Sequence, residues 1–142
     1  MNNSGLAFPK NERLSLKRHI DMLFQNGLSF VAYPLRVIYL FPKREEKDLA
    51  SQSDSPVMMM VSVPKKKIRH AVDRNYIKRR VRESYRLRKH ELIQACSETD
   101  KKLLLALIYL GTEKCSYTTI DGAMAKMIAV LRSKGETGKT ER

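Results

Sequence analysis

The 142-residue chain predicts an α+β domain: a small sheet with helices packed on it, in the order α-β-β(-β)-α-β-α. Three observations carry that expectation. Apolar runs of strand length stand at residues 57–63 and 103–110, segments with helical spacing lie at either end, and a long basic helical segment separates the two runs. Hydrophobic residues make up 42% of the sequence, enough for one modest core and not two. Residues 1–133 therefore read as a single domain, and the polar, glycine-containing residues 134–142 as a disordered tail.

Leu14, Ile20, Leu23 and Phe24 fall near helical spacing and Asn26-Gly27 closes the segment, so residues 13–26 predict a first helix. Residues 29–41 are rich in Val, Ile, Tyr and Phe and predict a strand bent or interrupted at Pro34. Residues 43–55 are polar and aperiodic, an exposed loop. Residues 57–63 read as a buried strand broken by Pro64, after which Lys65, Lys66 and Lys67 lead into a helix over about 71–95. The run 103–110, between Lys101-Lys102 and Gly111, has the continuous apolarity of a strand covered on both faces. Thr118 and Asp121 suggest a capping box for a last helix, in which Ile120, Met124, Met127, Ile128 and Leu131 form one apolar side. The strand–helix–strand unit over 57–110 would ordinarily cross over right-handed.

Net charge is +13, and a folded chain with so much like charge calls for a polyanion: nucleic acid or an acidic membrane surface. Between residues 64 and 90, twelve Lys and Arg stand against two acids, Asp73 and Glu83. Arg74, Lys78, Arg82 and Arg86 follow i, i+4 steps, with Asn75, Arg79 and Lys89 on neighbouring rows. Ile77, Val81 and Tyr85, with Val72 and Leu92, are left to face the sheet. Such a stripe is either a solvated face or a polyanion contact. The predominance of arginine, whose rigid fork suits bidentate phosphate contact, and the amide of Asn75 favour nucleic acid. Membrane-surface binding is disfavoured because the apolar side of the helix is needed for the core.

Catalysis by the chain alone is not indicated. Metal-dependent phosphodiester hydrolysis needs clustered carboxylates, whereas Asp21, Asp48, Asp73, Glu83, Asp100 and Asp121 are dispersed, and His19, His70 and His90 sit among basic residues. Cys96 and Cys115 lack C-x-x-C spacing and read as ordinary thiols of a reducing cytoplasm. Residues 1–10 have no apolar stretch of the kind a signal peptide needs, and the run 103–110 falls far short of the roughly 20 residues that span a bilayer. A soluble, cytoplasmic protein is expected.

The central run Ser62-Val63-Pro64-Lys65-Lys66-Lys67 followed by Ala71-Val72-Asp73-Arg74-Asn75-Tyr76-Ile77-Lys78-Arg79-Arg80-Val81-Arg82-Glu83 resembles the signature of the bacterial ribonuclease P protein component. That signature is a strand ending in V-x-K-K, then a helix opening A-x-x-R-N-x-x-K-R-x-x-R-E. Leu6-Ala7-Phe8-Pro9 and Arg13-Leu14 match the family's usual start, and the resemblance covers roughly residues 6 to 133. It implies a ribosomal-protein-like fold with a left-handed βαβ crossover. It also implies that cleavage of the 5′ leader of precursor tRNA belongs to a catalytic RNA subunit and its magnesium, with the protein binding that RNA and the leader and needing no obligatory protein partner.

Carried over by position, the resemblance implies RNA-subunit contacts at Lys65, Lys66, Arg74, Asn75, Lys78, Arg79, Arg82 and Arg86. It implies a leader cleft at Phe24 and Tyr39, with Phe8 shielding the cleft or stapling the N-terminus. Ile20 falls where many members have phenylalanine, so one stacking platform becomes an aliphatic contact. Phe24, Tyr33 and Tyr39 have core packing as their competing reading. The competing function is that of a ribosomal or RNA-chaperone protein, since small basic α+β domains serve many RNAs.

Overall fold

The computed structural model describes residues 12–42 and 55–137. Phe8, nearly all of the predicted loop and residues 138–142 lie outside the described residues.

Pro34 does more than bend the second predicted element. It splits it into two antiparallel strands, β1 (Leu28–Ala32) and β2 (Leu35–Leu40), with Ala32 opposite Leu35 and a cis Tyr33–Pro34 peptide in the turn. Helix α1 (Lys17–Asn26) precedes this hairpin; strand β3 (Val57–Ser62), helix α2 (Ala71–Glu98), strand β4 (Leu103–Tyr109) and helix α3 (Tyr117–Thr137) follow. The sheet order is β1-β2-β4-β3. β1, β2 and β4 are antiparallel neighbours, whereas β3 and β4 run parallel with α2 as their crossover. The α+β class and element order predicted from the sequence are those observed.

Strand register sorts the side chains onto two faces, because neighbours across a ladder point the same way and successive residues alternate. One face carries the rows Ser62–Ile108–Arg36–Val31, Met60–Ala106–Ile38–Ser29 and Met58–Leu104–Leu40. Helix α1 covers part of it through Met22 and Leu23, which cluster with Met58, Leu104 and Ala106. The other face, including Val57, Met59, Val61, Leu103, Leu105, Leu107, Val37 and Tyr39, is sealed by Ile77, Val81, Tyr85 and Leu92 of α2 and by Ile120, Met124, Met127, Ile128 and Leu131 of α3. Each large apolar side chain buried there contributes roughly 1.5–3 kcal/mol. Val72, expected to face the sheet, is instead 77% exposed.

The first helix starts at Lys17 and not at residue 13, because the preceding segment is used as a strap along the β3 edge. Arg13 forms a parallel bridge with Met59, and the Leu14 amide donates to the Met59 carbonyl at 3.0 Å. Leu14 then packs on the α1 face, while Glu12 forms a 2.7 Å ion pair with Lys89 of α2; both side chains are largely buried. At the other end of α1, the Gly27 amide donates to Leu23 O, and a Cβ on Gly27 would stand 2.5 Å from that oxygen. Only glycine fits so close a turn into β1.

Helix α2 ends with Asp100 at φ 55° and a hydrogen bond from the Lys101 amide to Cys96 O, the left-handed closure usually given to glycine. Cys96 is fully buried and burial pushes its thiol up to about 11, which keeps it protonated and unreactive. The start of α3 differs from the predicted capping box. Ser116 is the cap, its Oγ accepting from the Thr119 amide at 3.2 Å, and Asp121 turns to α2 instead. There it accepts from Ser84 Oγ at 2.6 Å and from both Arg88 nitrogens at 2.9 and 2.7 Å. Helix α3 continues to Thr137, past the boundary at 133 that composition suggested.

Candidate RNA interface

Each i, i+4 step advances about 40° around a helix, so the series Arg74, Lys78, Arg82, Arg86 winds across α2 and is not a straight row. It starts beside the sheet and ends on the outer side. Asn75, Arg79 and Arg82 are exposed, whereas Arg74, Lys78 and Arg86 are half-buried. Arg74 Nη1 donates to Ile68 O at 2.9 Å and to Arg69 O at 2.8 Å. Its guanidinium thus fastens the turn after Lys65, Lys66 and Lys67 to the first turn of α2. Arg86 is bound to Glu83 by two hydrogen bonds of 3.2 and 2.7 Å. Of the expected contacts, Lys65, Lys66, Asn75, Arg79 and Arg82 are the fully solvent-facing ones.

The outer side holds residues that the spacing argument passed over. Tyr76 lies under the Arg80 guanidinium at 4.7 Å and the Lys114 ammonium at 5.1 Å, and Lys114 also reaches Asp73 at 3.4 Å. Tyr76, Arg79, Arg80, Arg82, Glu83 and Arg86 line an open groove of about 420 Å³. Four guanidinium groups around one shallow groove are suited to phosphate oxygens, with charge and planar donors on one surface.

The half-covered sheet face is different in kind. Phe24, on α1, is 47% exposed, and Ile20 on the same helix is half-buried against the cluster under α1. Tyr33 is 68% exposed at the hairpin turn, so neither it nor Phe24 is a core aromatic. Tyr39 is not brought to them. It is 6% exposed on the sealed face, edge-on to Phe30 and Phe41 and 5.8 Å from the Lys134 ammonium. The residues of β2 that share the α1 face are Arg36, Ile38 and Leu40. Strict alternation in a strand makes this a one-residue displacement with a whole-face consequence. A period-2 reading of Leu35-Arg36-Val37-Ile38-Tyr39-Leu40, with the lone charge at Arg36 assigned outward, finds the right face.

His19 is buried, and His70 and His90 are exposed. Among the described residues no group of three or more His, Cys, Asp or Glu is placed to hold a metal ion. None of the described helices is long and apolar enough to cross a membrane.

The ribonuclease P family model matches residues 8–132. The ribonuclease P protein component of Porphyromonas gingivalis is 39% identical over 119 residues, covering 84% of this chain and 82% of that protein. The same component of Chlorobium phaeobacteroides is 34% identical over 119 residues, covering 78% and 79%. The solved structure of the Staphylococcus aureus ribonuclease P protein superposes with a TM-score of 0.63 at 18% identity, over 84% of this chain and 94% of that one. A family match across the sheet and all three helices, and relatives this similar over most of their length, lead to one conclusion: this chain belongs to the ribonuclease P protein family.

Proposed function

We propose that the chain is the protein subunit of a cytoplasmic ribonuclease P, binding the catalytic RNA through the outer side of α2 and the 5′ leader of precursor tRNA between α1 and the half-covered sheet face. The observation that carries this reading is the division of labour between the two faces. A groove lined by arginine lies on one side of the molecule, and on the other an exposed Phe24 on α1 shares the half-covered face with Arg36 and Ile38 of β2. Folded RNA is engaged through its phosphates. Unpaired RNA is held by stacking and apolar contact, for which Phe24 and the aliphatic row are suited.

In this reading Lys65, Lys66, Asn75, Lys78, Arg79 and Arg82 contact the RNA subunit directly. Arg74 acts mainly by holding the lysine turn, and Arg86 is shared with Glu83. The leader cleft contains Phe24, Ile20 and Ile38, with Tyr39 behind the sheet as support. In this reading magnesium would be held by the RNA subunit, where it would activate water and stabilise the leaving oxygen.

Reconstitution tests it. Added to a bacterial ribonuclease P RNA at low magnesium, the protein is expected to restore removal of the 5′ leader from precursor tRNA. Failure to restore cleavage, or equal affinity for ribosomal RNA fragments in a gel-shift competition, would return the chain to the class of general RNA-binding proteins.

A further inference from the structure

We infer that Arg36 is a phosphate contact for the single-stranded leader, at the rim where that strand comes onto the half-covered sheet face. This rests on the leader-cleft reading above and adds to it a charged residue that the aromatic positions do not include.

Arg36 is exposed on the α1 face, in the row Ser62–Ile108–Arg36–Val31. Its neighbours in β1 and β4 are aliphatic, Val31 at 56% exposure and Ile108 half-buried. It makes no hydrogen bond or ion pair among the described residues. With no carboxylate against it among the described residues, this arginine has donors suited to an external anion.

Its place at the sheet end identifies which anion. The Lys67 ammonium lies 3.4 Å from Leu110 O, and the Leu110 amide donates to Pro34 O at 2.7 Å. Lys67, the end of β4 and the start of β2 therefore meet at one rim. Ser62, two residues before Pro64, stands two strand spacings from Arg36, about 10 Å. A phosphodiester strand coming onto the sheet over this rim meets Arg36 one row before Ile38.

The test uses the full chain assembled with the catalytic RNA, and compares binding of precursor tRNA carrying a long leader with binding of mature tRNA across a salt series. Arg36→Ala is expected to weaken precursor binding about fivefold, the upper range for a solvent-exposed charge pair, with mature tRNA unaffected. The slope of log affinity against log salt is expected to fall by about 0.7, one single-strand phosphate. Arg36→Lys is expected to retain most of the affinity and the slope, because phosphate accepts a point charge. Unchanged precursor binding by Arg36→Ala, when Phe24→Ala weakens it, overturns the role of Arg36 and leaves the cleft standing. A loss with lysine as large as with alanine overturns the phosphate assignment. Equal losses on precursor and mature tRNA for both Arg36→Ala and Phe24→Ala overturn the cleft reading itself.

Discussion

The two faces of the sheet are built from similar residues and finished differently. On the α2/α3 side, Leu103, Leu105 and Leu107 are fully buried, and two helices of 28 and 21 residues close over them. On the α1 side, Leu104 and Ala106 are equally buried, but a single 10-residue helix leaves Val31 and Arg36 in solvent and Ile38 and Ile108 half-covered. One side is a completed core that holds a basic helix rigid. The other leaves apolar surface exposed, which a monomeric domain tolerates mainly where something binds.

The largest test of this contrast is a truncation on the sealed side. Leu105→Ala is expected to cost about 3–4 kcal/mol, measured by urea unfolding, since two packed helices cannot collapse into the cavity. Next comes the tie between the faces. Glu12→Gln removes the carboxylate 2.7 Å from the largely buried Lys89 ammonium and is expected to cost about 2 kcal/mol, with Glu12→Leu/Lys89→Met recovering most of the loss in the same assay.

A smaller effect belongs to the link between α2 and α3. Hydrogen bonds from Arg88 and Ser84 hold the Asp121 carboxyl at about 2, against 3.8 for an ordinary aspartate. A depressed carboxyl stabilises the fold above its unfolded pKa, and that stability is lost as pH falls through the folded value. Asp121→Asn is thus expected to cost about 1 kcal/mol at neutral pH, discounted for partial exposure, and its deficit should shrink between about pH 4 and pH 2. The smallest stability change is on the open side. Phe24→Ala should alter unfolding by less than about 0.5 kcal/mol while weakening precursor tRNA binding selectively; a loss of stability like that of Leu105→Ala would make Phe24 a core residue after all.

Much of the architecture was legible because period and composition carry it. The apolar strands 57–63 and 103–110 and the basic helix that begins at Ala71 are where the pattern puts them. What was not legible depends on partners distant in sequence. Arg74 continues the basic series by spacing, yet two carbonyls of the preceding turn take its guanidinium. Asp121 has the look of a capping residue, and Arg88, 33 positions earlier, draws it away. Tyr39 and Ile38 are adjacent in sequence and both largely apolar, so sequence alone does not separate their faces; only pairing with β1 and β4 shows which of them faces α1. The family's overall identity was readable from one run of residues, but the faces of β2 were not.

The strap of residues 12–14 has a consequence for solubility. β3 is an outer strand whose sequence, Val-Met-Met-Met-Val-Ser, is apolar, the kind of border that recruits a second chain into a growing sheet. Arg13 occupies that border at Met59 and places a cation along it. Without the strap, the strand that pairs with β4 under the basic helix would be open to self-association, so residues 12–14 guard the edge of the sheet.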